Sequence, residues 1–184
     1  MAISLQPASS PKNKILLGVL SPMRSKQKGF SLIELLIVVA IILIIAAIAI
    51  PNLLRSKMAA NESSAVGSLR SINTAEVAYA TAYPNVGYSA TLGNLGGANP
   101  CTALAATSCL IDDTLAKSNV TAKSGYLATY LVGAVSGGIF PTYTIKNDPA
   151  NRGTTGQRSF FSDQSGVIRY NVSNPAVVGD SPIQ

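Results

Sequence analysis

The sequence has no histidine and no tryptophan, and only two of its 184 residues are cysteines. Hydrolytic sites built on serine or cysteine usually need a histidine base, so the lack of histidine argues against that chemistry. Two cysteines without histidine do not complete a tetrahedral zinc shell. The glycine-rich stretch 93–97 is not followed by Lys-Ser/Thr, as a phosphate-binding loop would be. We therefore expect no enzyme activity, no cofactor and no metal site.

Charged residues make up only 12% of the chain, and they are unevenly placed. All eight acidic residues follow residue 29, whereas five of the 14 basic residues precede it: Lys12, Lys14, Arg24, Lys26 and Lys28. The remainder therefore carries nine basic and eight acidic residues, a net charge of +1. The basic N-terminal stretch predicts a cytoplasmic N-terminus by the positive-inside rule. It gives no reason to expect nucleic-acid binding by the rest of the chain.

The run from Leu35 to Leu54 contains no charged residue. Its 20 residues would form a helix about 30 Å long, enough to cross the hydrocarbon core of a bilayer. Because the run is apolar on every face, it needs lipid or other helices around it. A buried core helix is the alternative, although core helices rarely run this long without a polar face. Glu34 stands at the start of the run, where a carboxylate is unfavourable and usually marks a function.

The residues around this acid read Lys-Gly-Phe-Ser-Leu-Ile-Glu at positions 28–34. This segment resembles the type IV pilin and pseudopilin family, whose signature is a basic leader ending in glycine, Phe-Ser/Thr-Leu-Ile-Glu and an apolar helix. The resemblance implies that a prepilin peptidase cleaves between Gly29 and Phe30 and methylates the new Phe30 amine. It also implies that Glu34 pairs with the Phe30 ammonium of a neighbouring subunit during assembly. The ammonium would offset the cost of a lone carboxylate among apolar helices.

Residues 1–29 are predicted to be a leader peptide. Its apolar run 15–20 is too short to span a membrane, and a basic stretch precedes the long apolar run, unlike a standard secretory signal. A start at Met23 would leave a seven-residue basic leader, Met-Arg-Ser-Lys-Gln-Lys-Gly, of the length typical of type IVa pilins. We therefore expect Met23 to be the true start.

Residues 30–83 are predicted to form one long helix with two parts. Residues 30–54 are the apolar transmembrane and assembly part, and Pro51 predicts a kink or short melted stretch near residues 48–51. Residues 55–83 are amphipathic and should pack against a globular head. The expected buried stripe is Leu54, Met58, Ala65, Leu69, Ile72, Ala75 and Tyr79, alternating with the charged residues Arg55, Lys57, Glu62, Arg70 and Glu76. Tyr83 is expected to pack beside Tyr79.

Residues 84–184 are predicted to form the head, beginning with a loop region over 84–124 that is dense in turn signals. Cys101 and Cys109 lie in the middle of this region, and a location outside the cytoplasmic membrane favours a disulfide between them. Residues 110–116 predict a short helix. Asp112 and Asp113 have the chemistry to bind a cation, but adjacent acids are more often simply solvated.

Residues 125–171 are predicted to form an antiparallel sheet of about four strands. The strand-like runs are 125–133, 140–146, 158–162 and 167–170, with turns at 137–138 and 163–166. The tail from Asn171 either folds back over the sheet or frays. The predicted fold class is α+β, with a long N-terminal helix packed on an antiparallel sheet.

The resemblance implies a structural subunit of a type IV pilus. Lipid would hold the precursor in the bacterial inner membrane, an inner-membrane platform would assemble it, and the surface homopolymer would serve adhesion, twitching motility or DNA uptake. The alternative is a periplasmic pseudopilin of a type II secretion system. The major pseudopilin carries an Asp- and Gly-rich calcium loop near its C-terminus, whereas residues 161–170 contain one acid, which favours the pilus. A third hypothesis is an anchored binding protein that never polymerises.

Overall fold

The computed structural model describes residues 29–183. The predictions for residues 1–28, including the start at Met23, lie outside the described residues. The elements, in chain order, are α1 (Leu32–Ala82), a 3-10 helix (Leu92–Leu95), α2 (Asp113–Ala116), β1 (Tyr126–Val132), β2 (Tyr143–Pro149), β3 (Ser159–Asp163) and β4 (Arg169–Asn171). The predicted α+β fold is confirmed.

The chain divides into two compact units that meet between Ile41 and Ile42. The first unit contains the beginning of α1, and the second contains the rest of α1 with the sheet. The helix is continuous through Pro51, so the melted stretch expected near residues 48–51 is absent from the described chain. Proline removes only one helical hydrogen bond, the one its N–H would make with Ala47, and the turns on either side keep theirs. A kink at Pro51 stays a prediction.

The sheet is antiparallel, with the spatial order β1-β2-β3-β4. Alternate residues of β1 and β2 are buried, as expected for a sheet with one face on the core. The core lies between this face and the second half of α1. Its largest fully buried side chains include Leu69, Ile72 and Tyr79 of α1 and Tyr126, Tyr143, Ile145 and Phe160 of the sheet. Tyr83 packs against this cluster and is partly buried.

The second strand lies about three residues later than the sequence pattern predicts. Residues 83–91, the connecting segment that follows α1, bind Phe140: its N–H donates to the Val86 carbonyl at 2.9 Å, and its carbonyl accepts from Tyr88 at 3.0 Å. Phe140 is therefore occupied before β2 begins. At the other end the strand runs on to Pro149, which lies beyond the last β2–β3 pair, Asn147↔Phe160, where its missing N–H removes no bond to β3.

The tail after Asn171 folds back along the edge of the sheet. Tyr170 donates its N–H to the Ser181 carbonyl at 3.0 Å, and Ile183 donates to Ile168 at 2.9 Å. Ala176 is fully buried. Of the two outcomes that the sequence left open for the tail, folding back is the one observed.

Candidate functional site

The start of α1 forms a capping arrangement around Glu34. Ser31 immediately precedes the helix, and its backbone N–H donates to the Glu34 carboxylate at 2.9 Å. The Ser31 carbonyl accepts the first helical hydrogen bond, from Leu35 at 3.2 Å. A glutamate three residues after a serine N-cap commonly satisfies one of the free N–H groups of the first turn. In a single chain the carboxylate therefore has a polar partner within its own helix.

Gly29 and Phe30 lie before the helix, have no regular secondary structure and are exposed. Phe30 is 86% exposed, and a Cβ built on Gly29 would meet nothing within 4 Å. No described residue shields the bond between them. This is the geometry that a protease needs at its cleavage site, because the backbone must enter the enzyme.

The apolar segment is defined as residues 30–54 and contributes to both units. Most of its large side chains, from Leu32 to Leu54, are exposed within the unit to which they belong. By length and composition α1 is able to cross a membrane, and the most apolar 18-residue window has a mean hydropathy of 3.3. Leu54 was expected in the buried stripe but is exposed, so contact with the head begins later along the helix. The segment consequently has no apolar partner within the described chain.

The N-terminal sequence matches known proteins over the same region. Residues 24–50 match the prokaryotic N-terminal methylation motif. The type IV major pilin protein PilA of Myxococcus xanthus is 46% identical over 54 residues, which are 29% of this chain and 24% of that protein. The type IV wide pilus major component PilA4 of Thermus thermophilus is 64% identical over 36 residues, 20% of this chain and 28% of that protein.

Over this N-terminal segment, the chain carries the methylation motif and is similar to type IV pilins. It spans about a quarter of the length of either curated relative. No solved structure matches the chain significantly. The long apolar helix and the four-stranded antiparallel sheet are those expected of a pilin fold.

Two acids on the amphipathic half of α1 are buried, contrary to the expectation that they alternate with the buried stripe. Glu62 is 8% exposed and Glu76 is fully buried. Both lie outside the apolar segment. The sequence contained a signal for them: Glu62, Ala65, Leu69, Ile72, Glu76 and Tyr79 are spaced alternately by three and four residues, so both acids share the apolar stripe. An acid in register with a buried stripe indicates a carboxylate with partners in the core.

Glu62 binds the two residues that precede β3. Its carboxylate accepts from the backbone N–H groups of Gln157 and Arg158 at 2.8 and 3.1 Å and from the Arg158 Nε at 2.8 Å. Burial raises the pKa of Glu62, but these hydrogen bonds and the guanidinium charge outweigh it and hold the pKa below its ordinary value. Glu62 is therefore a charged link between α1 and the sheet.

Glu76 binds the connecting segment and β1. One carboxylate oxygen accepts the Ser89 N–H at 3.0 Å, and the other accepts the Ser89 and Tyr130 hydroxyls at 2.6 Å each. Burial raises the pKa of Glu76 above its ordinary value, and these donors only partly oppose the shift. The two ion pairs in the described part of the chain are Glu62–Arg158 and Asp113–Lys117. Glu76 therefore differs from Glu62 in having no ion-paired cation.

The other residues singled out in the loop region have structural roles. Cys101 and Cys109 form a disulfide. Asp112 caps α2 by accepting the Leu115 N–H at 3.2 Å, and Asp113 pairs with Lys117 at 2.6 Å. Both acids thus have partners of their own. Only the last four residues of the predicted helix over 110–116 are helical, because the N–H groups of residues 110 and 111 bind the Leu95 carbonyl instead.

Proposed function

We propose that this chain is a structural subunit of a type IV pilus. The observation that carries the proposal is the pairing of an exposed apolar segment with the capped Glu34 and the exposed Gly29–Phe30 bond at its start. An anchored binding protein that never polymerises would have no use for these last two features. The relatives named above are a major pilin and a major pilus component, which supports the same role.

Processing is the first step of the proposed function. A prepilin peptidase cuts between Gly29 and Phe30 and methylates the Phe30 amine. The cut creates a cation next to an apolar helix that otherwise carries only the Glu34 carboxylate over residues 30–54. Before cleavage Glu34 has the Ser31 N–H as its partner.

Assembly is the second step. Lipid surrounds the apolar segment of the precursor in the inner membrane, and an assembly platform there transfers the subunit to the fibre. Neighbouring helices then replace the lipid as apolar surroundings, and close packing supplies the association energy. The Phe30 ammonium of a neighbour neutralises Glu34, which fixes the axial register between subunits. Such head-to-tail contacts do not close on themselves, so they build a filament.

The C-terminal turns favour a pilus over a type II secretion pseudopilin. Asp163 uses its carboxylate within its own turn, where it accepts the Ser165 N–H at 2.9 Å. Asp180 likewise accepts from Val177 N–H at 2.7 Å and from the Asn171 side chain at 3.0 Å. These acids stabilise turns rather than converge on a common centre, unlike the calcium loop typical of a major pseudopilin. The pilus would then serve adhesion, twitching motility or DNA uptake.

Mass spectrometry of fibres sheared from the cell surface tests this proposal. We expect an N-terminal peptide that begins at methylated Phe30 in the sheared fraction. A peptide that begins at Phe30 but stays in the envelope fraction would favour the pseudopilin instead. An uncut bond between Gly29 and Phe30 would contradict both functions.

A further inference from the structure

The buried carboxyl group of Glu76 joins three parts of the head. Glu76 lies on α1, Ser89 in the connecting segment and Tyr130 on β1, and both partners donate hydrogen bonds to it. Ser89 is itself fully buried and presents both its N–H and its hydroxyl to the acid. One acid on α1 therefore binds both the connecting segment and the sheet.

The titratable groups that face Glu76 are tyrosines. Tyr79 lies on the same helix, Tyr130 on β1 and Tyr143 on β2. Burial raises the pKa of each of these tyrosines, and the charge of Glu76 raises it further. Tyr88 of the connecting segment packs edge-on against Tyr143 with ring centroids 4.9 Å apart. The chain has no histidine, and neither of the ion pairs in the described part of the chain reaches this cluster. A negative charge on Glu76 thus has dipoles around it but no ion-paired cation.

The same distances satisfy two arrangements of hydrogens. When Glu76 is ionised, the Ser89 N–H, the Ser89 hydroxyl and the Tyr130 hydroxyl all donate to it. When Glu76 is protonated, its hydrogen goes to the Tyr130 oxygen at 2.6 Å, and the Tyr130 hydroxyl turns to the Ser89 carbonyl at 2.8 Å. Only the ionised arrangement buries a charge that has no ion-paired cation and leaves the Ser89 carbonyl without its Tyr130 donor. The cluster therefore accommodates the neutral acid better than the anion.

We propose that Glu76 is a proton-dependent latch: the protonated acid holds residues 83–91 on α1 and β1, and ionisation loosens them. Opening of this segment admits water to the carboxylate, which relieves the cost of the buried charge. The same segment binds Phe140 ahead of β2, so its release also frees the loop between β1 and β2. The head surface formed by these two segments would respond to the acidity outside the cell.

The direction of the pH effect follows from the raised pKa of Glu76. The folded head binds this proton more tightly than the unfolded chain does, so the attachment is strongest below the ordinary value of 4.5. The attachment weakens as the pH rises from 4.5 to the pKa of Glu76 in the folded head, and it stays weak above that pKa. Glu62 has the opposite effect: because folding lowers its pKa, its contribution to the stability of the head is lost as the pH falls.

Hydrogen exchange of the full chain in detergent micelles, followed by mass spectrometry between pH 4 and pH 8, tests the latch. Protection is the exchange rate of an unstructured chain at the same pH divided by the measured exchange rate. We expect protection of residues 83–91 to fall as pH rises, by up to about tenfold for each unit by which folding raises the Glu76 pKa. Protection that does not change with pH would overturn the proposal.

Glu76→Gln is the decisive variant. Its amide group donates to Tyr130 as the protonated acid does, so we expect residues 83–91 to keep their low-pH protection at every pH. A pH-dependent fall that persists in this variant would overturn the proposal. Glu62→Gln is the matched control on the same helix, and it should leave the fall in residues 83–91 unchanged. If Glu62→Gln abolished the pH-dependent fall in protection of residues 83–91, that result would also overturn the latch, because the pH dependence would then be global.

Tyr130→Phe keeps the test decisive if Glu76→Gln does not fold. The ring stays in place, but the protonated acid loses the oxygen that accepts its hydrogen, and the Ser89 carbonyl loses its donor. We expect lower protection of residues 83–91 at low pH and therefore a smaller fall in protection as pH rises. A purely structural role of Tyr130 would lower protection equally at all pH values, and that result would overturn the proposal.

Discussion

The Arg158 Nε lies 2.8 Å from a carboxylate oxygen of Glu62, in an ion pair that joins α1 to the residue just before β3. The guanidinium also lies over two rings, with its central carbon 5.5 Å from the centroids of both Phe160 and Tyr170. Arginine stacks well on aromatic rings because its guanidinium is planar and weakly hydrated. Arg158 therefore links the helix to two strands.

Glu62→Gln should lower the free energy of unfolding at pH 7 by about 2 kcal/mol, because it removes a charged acceptor from three donors. The lowered pKa of Glu62 means that its stabilisation is present above pH 4.5 and is lost as pH falls through the folded pKa. The difference between wild type and variant should therefore shrink at pH 3. Thermal unfolding of the full chain in detergent at both pH values measures it.

Asp113→Asn is the control for this prediction. Asp113 also pairs with a basic residue, Lys117, but both side chains are largely exposed on the surface of α2. An exposed pair of this kind contributes less than about 0.5 kcal/mol. Equal effects of Asp113→Asn and Glu62→Gln would show that burial and the backbone donors of Glu62 do not matter.

Replacing both Cys101 and Cys109 by serine should lower the free energy of unfolding by about 2.5 kcal/mol, because the short loop that they close gains freedom in the unfolded chain. The 3-10 helix should keep its place, since the Leu95 carbonyl still accepts from Leu110 and Ile111. Urea unfolding of the oxidised wild type and the double variant measures the change. Equal stability of the two would contradict the prediction.

Much of this fold was predictable because its periodic patterns are long. The apolar run, the stripe from Ala65 to Tyr79 and the turn at residues 163–166 each have a local cause, so the helix, its packed face and the last hairpin followed from spacing. The four-stranded sheet was predictable for the same reason, although its strand ends were not.

The partners of the buried acids could not be predicted, because they are far away in the sequence. Glu62 meets Arg158 and Glu76 meets Tyr130 only after the helix has packed on the sheet. Nothing local in the sequence around these acids indicates which will find a cation. The shift of β2 has a similar cause, since it depends on the pairing of Phe140 with the connecting segment.

Gly87→Ala should lower the free energy of unfolding by at least about 2 kcal/mol. Gly87 has a φ of +80°, and an added Cβ would clash with the backbone oxygen of Phe140. The left-handed conformation alone costs about 1–2 kcal/mol for a residue with a Cβ. Gly153 is the matched control, because its φ is +83° but an added Cβ meets nothing within 4 Å. Thermal unfolding should show the smaller loss for Gly153→Ala, and equal losses would contradict the close contact with Phe140.

Two variants of Glu34 separate its capping role from its charge. Glutamine retains an oxygen that accepts the Ser31 N–H, whereas valine does not. If Glu34 neutralises the Phe30 ammonium of a neighbour, both Glu34→Gln and Glu34→Val should give processed, membrane-held protein with at least about tenfold less sheared fibre, because one charge of a buried pair is lost. Immunoblots of sheared and membrane fractions, with mass spectrometry of the N-terminal peptide, measure both quantities. Normal fibre from Glu34→Gln but not from Glu34→Val would assign Glu34 to capping alone, and normal fibre from both would remove it from assembly.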